Sequence, residues 1–404
     1  MRVKTGLEIL FQKELGLIEG MKVGLITNYT AVNSKLIHLK DLLISKAKVD
    51  LVAIFAPEHG FWGSAQAGEY VQDEFDEETG VPIKSLYRPA VHAEGPEYVV
   101  DSIIAKEARA PLTESLEEVE ALIFDIQDVG TRVYTYIWTM ALSMEASAKL
   151  DKLYIVLDRP NPINGLTVEG YVLDVRFKSF VGMLPIPMRH GMTVGELALL
   201  FNEKHRIRAD LRVIPMDGWE RDMWFDQTGL PWIMPSPNLP TLDTALVYPG
   251  MVLFEGTNVS EGRGTTRPFE TIGAPWIDGR NLANKLNELN LSGVLFREVR
   301  FVPTFSKYAG VECKGVQLHV IDRESFKPFL VAICMLGEML KENFDEFEWI
   351  KRPGREKGYY FDCLAGTDKI RKALEEGSDP FELYKEAQAS AQEFRIEKEE
   401  YLLY

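Results

Sequence analysis

The sequence predicts an α/β fold in which a doubly wound parallel sheet precedes a smaller α+β domain. Four short apolar runs alternate with helical patterns in the first half, which is typical of a parallel sheet. The second half opens with a long polar segment and continues with strand patterns followed by helices. A length of 404 residues suits about two domains. We place the boundary near residue 230, which divides the chain into residues 1–230 and 231–404.

The elements of the first half follow from apolar periodicity. The predicted strands are, in chain order, KVGLITN, VDLVAIF, ALIFDIQD and LYIVLD. The predicted helices are LEILFQKELGLI, HLKDLLISKA, TESLEEV, residues 136–149 and VGELALLFNEKH. Thr193 and Glu196 form a capping box that marks the start of the last of these helices.

The second half is less regular. Residues 229–276 are rich in Pro, Gly, Thr and Asn, so they form either a functional loop or a poorly ordered one. Their aromatic and proline content favours an ordered loop. Beyond them the predicted strands are GVLFREVRFVPTF and KGVQLHVID, and the predicted helices are FLVAICMLGEMLKENF and the segment 379–398.

Composition limits the partners and the compartment. A formal net charge of −16 argues against nucleic acid or an anionic membrane as a partner. The three cysteines are far apart and predict buried free thiols rather than a disulfide framework or a zinc site. The first residues lack an apolar signal segment, and no apolar run approaches a membrane span. We therefore expect a soluble, cytoplasmic protein, or a secreted one if a signal was removed.

Each predicted strand ends in polar side chains. Because ligands bind beyond the carboxyl ends of parallel strands, we expect these side chains to meet at one rim and contact a ligand. The residues concerned are Asn28, Glu58, His59, Asp125, Gln127, Asp128, Asp158, Arg159 and Asn161.

Glu58 and His59 are the foremost catalytic candidates. A carboxyl group partly shielded by Phe61 and Trp62 could have a raised pKa and serve as a general acid or base, oriented by His59. The alternative is a salt bridge at the end of a strand.

The segment FDIQDVGTRVYTY offers a second polar group. Asp125 and Asp128 could bind a metal together with His59 or His190, hold sugar hydroxyls, or accept backbone N–H groups. Neither HxH nor HExxH spacing is present, so we predict no metal site. Tyr134 of the same segment is a candidate substrate contact.

The segment DRPNPINGLTVEG is a turn-rich loop in which Asn161 and Asn164 offer amide groups to a ligand. Glu169, near its end, is the best second catalytic carboxylate. The alternative is a glutamate that faces solvent.

Four arginines lie in polar motifs and could bind an anionic group of a substrate in two-pronged fashion: Arg132, Arg159, Arg189 and Arg263. Pairing with neighbouring aspartates is the alternative. The glycine-rich segment 254–270 lacks the phosphate-loop pattern. It carries Glu255, Asn258 and Glu261, and forms either a loop that closes over the rim or an interdomain linker. The GxSxG elbow is absent, which argues against serine catalysis.

Taken together, the motifs APEHGFWG, FDIQDVGTRVYTY, DRPNPINGLTVEG, MRHGMTVGELA, PSPNLPT, FEGTNVSEGRGTTRPFE and YLLY resemble the exo-β-N-acetylmuramidase family along nearly the whole chain. The resemblance implies a Rossmann-like N-terminal domain with the active site in the cleft beside a smaller domain. It implies release of N-acetylmuramic acid from the non-reducing end of peptidoglycan fragments such as N-acetylmuramyl-β-1,4-N-acetylglucosamine, without a cofactor. The glutamate of the PEHG motif falls on Glu58 and that of the VEG motif on Glu169. His190 and Asn238, in two further motifs, are expected to contact substrate.

The mechanism stays open at this point. Glycosidases with carboxyl groups ~5–5.5 Å apart retain the anomeric configuration, and those with groups ~6.5–9.5 Å apart invert it. The acetamide of the substrate could instead be the nucleophile, with Glu58 as the acid. Two other functions compete: a metal-dependent hydrolase of a modified sugar, and a receptor that binds a cell-wall sugar without cleaving it.

Residues 88–112 depart from the family pattern because they form a longer link. His92, Glu94 and Arg109 could reshape the cleft there or only decorate the surface.

Overall fold

The computed structural model describes residues 2–88, 108–352 and 358–404. Its strands are β1 Lys22–Thr27, β2 Asp50–Ala56, β3 Glu74–Phe75, β4 Pro82–Ser85, β5 Ala121–Asp125, β6 Leu153–Leu157, β7 Glu169–Val172, β8 Pro187–Arg189, β9 Asp210–Ile214, β10 Thr271–Ala274, β11 Val294–Phe301 and β12 Cys313–Val320.

A seven-stranded sheet with the order β3-β4-β2-β1-β5-β6-β9 forms the centre of the first half. All pairs are parallel except β3 with β4 at one edge. Counted along the chain, the six parallel strands have the order 3-2-1-4-5-6, which is that of a doubly wound Rossmann sheet. The predicted fold class is confirmed. The strands β4 and β9 were not predicted, because both are short and half exposed.

Each central strand is buried on both faces, because successive side chains point to opposite sides of a sheet. Leu25, Ile54 and Ile123 pack on one face against the helix that follows β1. Their neighbours Ile26, Phe55 and Phe124 pack on the other. The apolar core that contains Ile26, Phe55 and Phe124 continues into the C-terminal half, so the two halves share one apolar interior.

Helices cover the sheet and build most of the second half. Their bounds are Gly6–Ile9, Leu39–Lys46, Tyr136–Ala148, Val194–Lys204, Leu242–Met251, Gly279–Glu288, Pro328–Glu342, Tyr360–Ala365, Lys369–Glu375, Pro380–Ser390 and Gln392–Glu397. Single turns of 3₁₀ helix lie at Leu15–Leu17, Thr113–Leu116, Val175–Phe177, Phe225–Gln227, Val252–Gly256 and Lys398–Tyr401, and a π turn at Leu10–Glu14. The capping box of Thr193 and Glu196 is present as predicted.

Two predicted elements differ from the structure. The segment TESLEEV forms only the 3₁₀ turn Thr113–Leu116. The predicted loop 229–276 contains a helix, Leu242–Met251, and the strand β10. That helix includes Pro249, and its apolar side chains are buried all round, so it shows no amphipathic period.

The second half holds an antiparallel sheet with the order β10-β12-β11. The large sheet ends with β9 at Ile214 and this small sheet begins at Thr271. The boundary near residue 230 falls between them and stays a prediction. The three cysteines are free and buried. Among the described residues, no helix has the length and apolar character to cross a membrane.

Candidate active site

A cavity of about 580 Å³ lies between the carboxyl ends of β2 and β5 and the second half of the chain. Aromatic rings form much of its wall, and its polar groups face each other across it. From the first half it is lined by Glu58, His59, Glu69, Tyr87, Tyr134 and Thr135, and from the second half by Tyr248, Glu255, Glu261, Arg263, Lys307 and Tyr360.

Glu58 is held by hydrogen-bond donors. The strand β2 ends two residues before it, and the side chain accepts bonds from the Thr135 hydroxyl at 2.7 Å and the Gly68 amide at 3.1 Å. The Tyr87 hydroxyl also bonds to it. These donors fix the orientation of the carboxyl group at the wall of the cavity. Because these partners are hydroxyls and an amide rather than a cation, the salt-bridge alternative does not describe Glu58.

His59 fixes the loop that carries Glu58. Its backbone has a φ of 72°, and its Nδ1 lies 2.8 Å from the carbonyl oxygen of Ala65, to which it donates. Burial lowers the pKa of His59, although the charge of Glu58 opposes this. The imidazole is therefore neutral at pH 7.

A cluster of alternating charges forms the opposite wall, and we call its four members, Glu255, Glu261, Arg263 and Lys307, the charge cluster. Arg263 Nη2 lies 2.5 Å from Glu255 Oε1, and its Nε lies 3.3 Å from Glu261 Oε1. Lys307 Nζ lies 2.9 Å from Glu261 Oε2.

The two carboxylates of the charge cluster differ in their pKa. Burial raises the pKa of Glu255, and Arg263 only partly offsets this effect. Burial acts on Glu261 in the same direction, but the charges of Lys307 and Arg263 outweigh it and hold its pKa below the ordinary value. Glu255 is therefore the carboxyl group of this wall that more readily carries a proton.

Tyr134 belongs to an aromatic wall. Its ring packs edge-on against Tyr136 at 4.8 Å and against Tyr248 at 6.0 Å between centroids. The wall excludes water beside the acids, which strengthens electrostatic interactions in the cavity.

The structure brings six of the predicted site residues to the cavity: Glu58, His59, Tyr134, Glu255, Glu261 and Arg263. The strand ends meet at one rim, as predicted, since β2, β1, β5 and β6 are adjacent. Most of the polar side chains at those ends, however, bond to each other or to backbone groups instead of lining the cavity.

Glu169 requires a correction. It is fully buried and accepts hydrogen bonds from the amides of Phe329 and Leu330 at 3.2 and 3.3 Å, at the start of the helix Pro328–Glu342. Burial raises its pKa to about 7, although the charge of Arg189 opposes the rise. The residue does not line the cavity and does not face solvent, so it is neither the second catalytic carboxylate nor an exposed glutamate. It caps a helix.

Two of the predicted anion-binding arginines are structural. Arg132 donates to the carbonyl oxygens of Tyr171, Ile186 and Leu364 at 2.6–3.1 Å, and burial lowers its pKa to about 9. Arg189 donates to the carbonyl of Ile163. Both side chains are buried, donate to backbone carbonyl groups and do not line the cavity, so neither is placed to bind a substrate there.

The aspartates at the rim are also engaged. Asp125 receives both Arg159 Nε and, at 2.9 Å, Arg159 Nη2, which confirms the ion-pair alternative for this arginine. Asp158 accepts bonds from the hydroxyls of Thr193 and Tyr404, both at 2.7 Å, and burial raises its pKa to about 7. These contacts join strand ends to a helix and to the C-terminal tyrosine.

The predicted amide contacts are local as well. Asn28 Oδ1 accepts the Thr30 amide at 3.0 Å, Gln127 Nε2 donates to the Pro160 carbonyl at 2.8 Å, and Asn161 Nδ2 donates to the Met192 carbonyl at 3.0 Å. The three remaining amide side chains also bond to other groups of the protein. Asn164 Oδ1 accepts the Leu166 amide, Asn258 Nδ2 donates to the Glu346 carbonyl, and Asn238 Nδ2 donates to Gln66 Oε1. Among the six amide bonds just described, the one made by Asn238 reaches a residue that lines the cavity, Gln66.

The residues of the metal alternative are dispersed. His190 Nε2 lies 3.7 Å from Asp128 Oδ2 and both are buried, while Asp125 is held by Arg159 and His59 lies at the cavity. Within residues 2–88, 108–352 and 358–404, no group of three or more His, Cys, Asp or Glu side chains is arranged to hold a metal ion.

Of the three polar residues noted in the long link 88–112, the structure describes one. His92 and Glu94 lie outside the described residues. Arg109 is fully buried, and its guanidinium carbon lies 3.7 Å from the ring centroid of Tyr87. This arginine therefore supports a wall of the cavity and does not decorate the surface.

Several cavity residues escaped the sequence analysis: Tyr87, Thr135, Tyr248, Lys307 and Tyr360. Thr135 directly follows Tyr134 in a recognised motif, which is a signal that could have found it. Lys307 lies in no motif, and it meets Glu261 only because the second half folds back on itself.

Comparisons with known proteins agree over the whole chain. Two family models, described as Exo-beta-N-acetylmuramidase NamZ, N-terminal and C-terminal, match residues 23–243 and 246–404. Peptidoglycan beta-N-acetylmuramidase NamZ of Bacillus subtilis (strain 168) is 43% identical over 403 residues, which are 100% of this chain and 92% of the relative.

Two crystal structures of DUF1343 family proteins from Bacteroides fragilis NCTC 9343 have the same fold. One is 35% identical with a TM-score of 0.87, and the other is 32% identical with a TM-score of 0.76. Each comparison covers 100% of this chain and 99% of the other chain. The chain therefore belongs to the exo-β-N-acetylmuramidase NamZ family.

Proposed function

We propose that the protein is an exo-β-N-acetylmuramidase that releases N-acetylmuramic acid from the non-reducing end of peptidoglycan fragments. The observation that carries the proposal is Glu58, the carboxylate of the PEHG motif, held by three donors at the wall of a cavity with a second group of acids opposite. The Bacillus subtilis relative is a peptidoglycan β-N-acetylmuramidase, which supports the same substrate class.

Glu255 takes the place of Glu169 as the second carboxylate. It shares the cavity with Glu58, and burial raises its pKa above the ordinary value, which is the direction that favours a proton donor. Glu58, held in place by its hydrogen-bond donors, faces the positive charge that develops at the anomeric carbon in this mechanism. It acts there either as the nucleophile or base, or by orienting the acetamide of the substrate. His59, which is neutral, positions the loop that holds Glu58.

The test is product analysis by mass spectrometry with N-acetylmuramyl-β-1,4-N-acetylglucosamine and excess chelator. We expect free N-acetylmuramic acid from the unmodified protein. Glu58→Gln should keep the fold and lose ~10²–10⁴-fold in rate, since it removes one positioned acid–base group. Glu312→Gln is the control, because its exposed ion pair with Arg300 lies outside the cavity.

Three outcomes would contradict the proposal. Intact disaccharide from folded protein that binds it would favour the receptor. Activity that the chelator removes would favour the metal-dependent hydrolase. Near-normal turnover by Glu58→Gln would remove Glu58 from the mechanism.

A further inference from the structure

The cavity carries more negative than positive groups. Among the described residues that line it, the carboxylates are Glu58, Glu69, Glu255 and Glu261, and the cations are Arg263 and Lys307. N-acetylmuramic acid differs from N-acetylglucosamine by a lactyl ether that ends in a carboxylate. An anion placed among these acids is repelled unless a cation is released to it or one acid loses its charge.

The two cations differ in how firmly they are held. Lys307 Nζ donates to the carbonyl oxygens of Phe254 and Val259 at 2.8 and 3.0 Å as well as to Glu261. Arg263 bonds to the side chains of Glu255 and Glu261, and its guanidinium lies 5.1 Å from the ring centroid of Phe269. Its side chain retains 15% exposure at the cavity. Arg263 is therefore the cation that can exchange one carboxylate for another.

The groups around Glu255 leave its charge dependent on Arg263. The hydroxyl of Tyr360 lies 3.4 Å from Glu255 Oε2, and Tyr248 faces it from the helix Leu242–Met251. Both phenols are neutral, because burial raises their pKa well above the ordinary value. Lys307 is bonded to the other carboxylate of the charge cluster. Without Arg263, the remaining cation that acts on Glu255 is Lys307, which is bonded to Glu261 and to two carbonyl oxygens, so the neutral form of the half-buried Glu255 is favoured.

We propose that the carboxylate of the substrate displaces Glu255 from Arg263, and that Glu255 then takes up a proton and delivers it to the leaving sugar. This inference rests on the proposed function. The proton comes from solvent and passes from Glu255 to the glycosidic oxygen as the bond from that oxygen to C1 breaks. Water adds to C1 as hydroxyl, and the proton it loses passes to a carboxylate of the cavity, which releases it to solvent. When N-acetylmuramic acid leaves, Glu255 binds Arg263 again.

The exchange makes Arg263 a specificity determinant. A sugar without the lactyl carboxylate leaves the pair of Arg263 and Glu255 intact, so the acid stays ionised and cannot protonate the leaving oxygen. The enzyme then distinguishes sugars with the lactyl carboxylate from those without it in the chemical step as well as in binding.

Calorimetry tests the exchange without any variant. N-acetylmuramic acid and N-acetylglucosamine are titrated into the protein at pH 7 in buffers with different enthalpies of ionisation. We expect uptake that approaches one proton with N-acetylmuramic acid and none with N-acetylglucosamine. Binding of N-acetylmuramic acid without proton uptake would overturn the inference.

Kinetics test the role of Arg263. The ratio of kcat/KM for N-acetylmuramyl-β-1,4-N-acetylglucosamine to that for di-N-acetylchitobiose should fall by about 5- to 150-fold in Arg263→Gln, the usual range of coupling between two sites. Arg263→Lys should restore part of the ratio. Arg280→Gln is the matched control, because its exposed ion pair with Glu298 lies outside the cavity. An equal loss on both disaccharides would overturn the inference.

An aryl glycoside separates proton donation from the other roles of Glu255. A 4-nitrophenyl β-glycoside of N-acetylmuramic acid has a leaving group that needs no proton, so Glu255→Gln should cleave it far better than it cleaves the disaccharide. Equal losses on both substrates would overturn the role of Glu255. If the unmodified protein cleaves neither substrate, the proposed function fails, while the calorimetric result still tests the exchange.

Discussion

Replacing Glu169 by glutamine should leave catalysis intact and make the protein relatively more stable at high pH. The side chain is fully buried, and one of its oxygens accepts the amides of Phe329 and Leu330. Glutamine keeps a carbonyl oxygen for both amides and has no charge to bury. Because Glu169 does not line the cavity, we expect kcat to change by less than about threefold, the scale of a small indirect effect.

The magnitude follows from the pKa. Burial raises the pKa of Glu169 from 4.5 to about 7, which corresponds to about 3 kcal/mol at ~1.4 kcal/mol for each tenfold change in proton affinity. The folded protein binds this proton more tightly than the unfolded chain does. The stability that the group contributes is therefore full below pH 4.5 and is lost as the pH rises through 7.

Urea unfolding of both proteins at pH 5 and pH 8 measures this effect. From pH 5 to pH 8, the free energy of unfolding of the original protein should fall by about 2–3 kcal/mol relative to that of Glu169→Gln. The other titrating groups are the same in both proteins, so their effects cancel in the comparison. Two results would refute the reasoning. A pH-independent difference would mean that Glu169 does not titrate as argued. A loss of 100-fold or more in kcat from a folded variant would restore it to the mechanism.

Two further substitutions test the framework of the site. Tyr404→Phe removes the hydroxyl that donates to Asp158 and accepts the Met216 amide, both at 2.7 Å. The variant should lower the free energy of unfolding by about 2 kcal/mol in urea titrations. An unchanged urea midpoint would show that these two hydrogen bonds do not stabilise the fold. Gly63→Ala should lower both the Tm and the activity, because its new Cβ would lie 1.9 Å from Tyr29 Cε1 at a φ of 69°. Gly80→Ala is the control with a similar φ of 73° and open space around it, so equal losses in the two variants would assign the effect to backbone strain alone.

The apolar pattern of the sequence predicted secondary-structure elements correctly where their side chains face the core at regular intervals. The apolar runs at β1, β2, β5 and β6 identified a parallel sheet, because strands buried on both faces leave few polar positions. The same rule failed for the helix Leu242–Met251, which is surrounded by apolar groups and so has no polar face to set its period. It failed for β9 because only one of its five residues is buried.

The motif carboxylates show the same division. In the sequence, Glu58 and Glu169 have similar surroundings, since each stands beside a glycine or histidine at the end of a strand. Their neighbours along the chain do not distinguish them. The structure separates them, because the loop after β2 opens on the cavity, whereas β7 pairs with β8 beneath the start of the helix Pro328–Glu342.

The sequence by itself determined the alternation of β1, β2, β5 and β6 with helices, the polar rim and Glu58 as the foremost catalytic candidate, because these depend on residues that are neighbours along the chain. Only the tertiary structure decided that Glu169 caps a helix, that most rim side chains bond to nearby protein groups instead of lining the cavity, and that Lys307 and Arg263 share Glu261. Those outcomes depend on which distant segments pack together. A buried charge selects its partner by distance in space, which local periodicity does not encode.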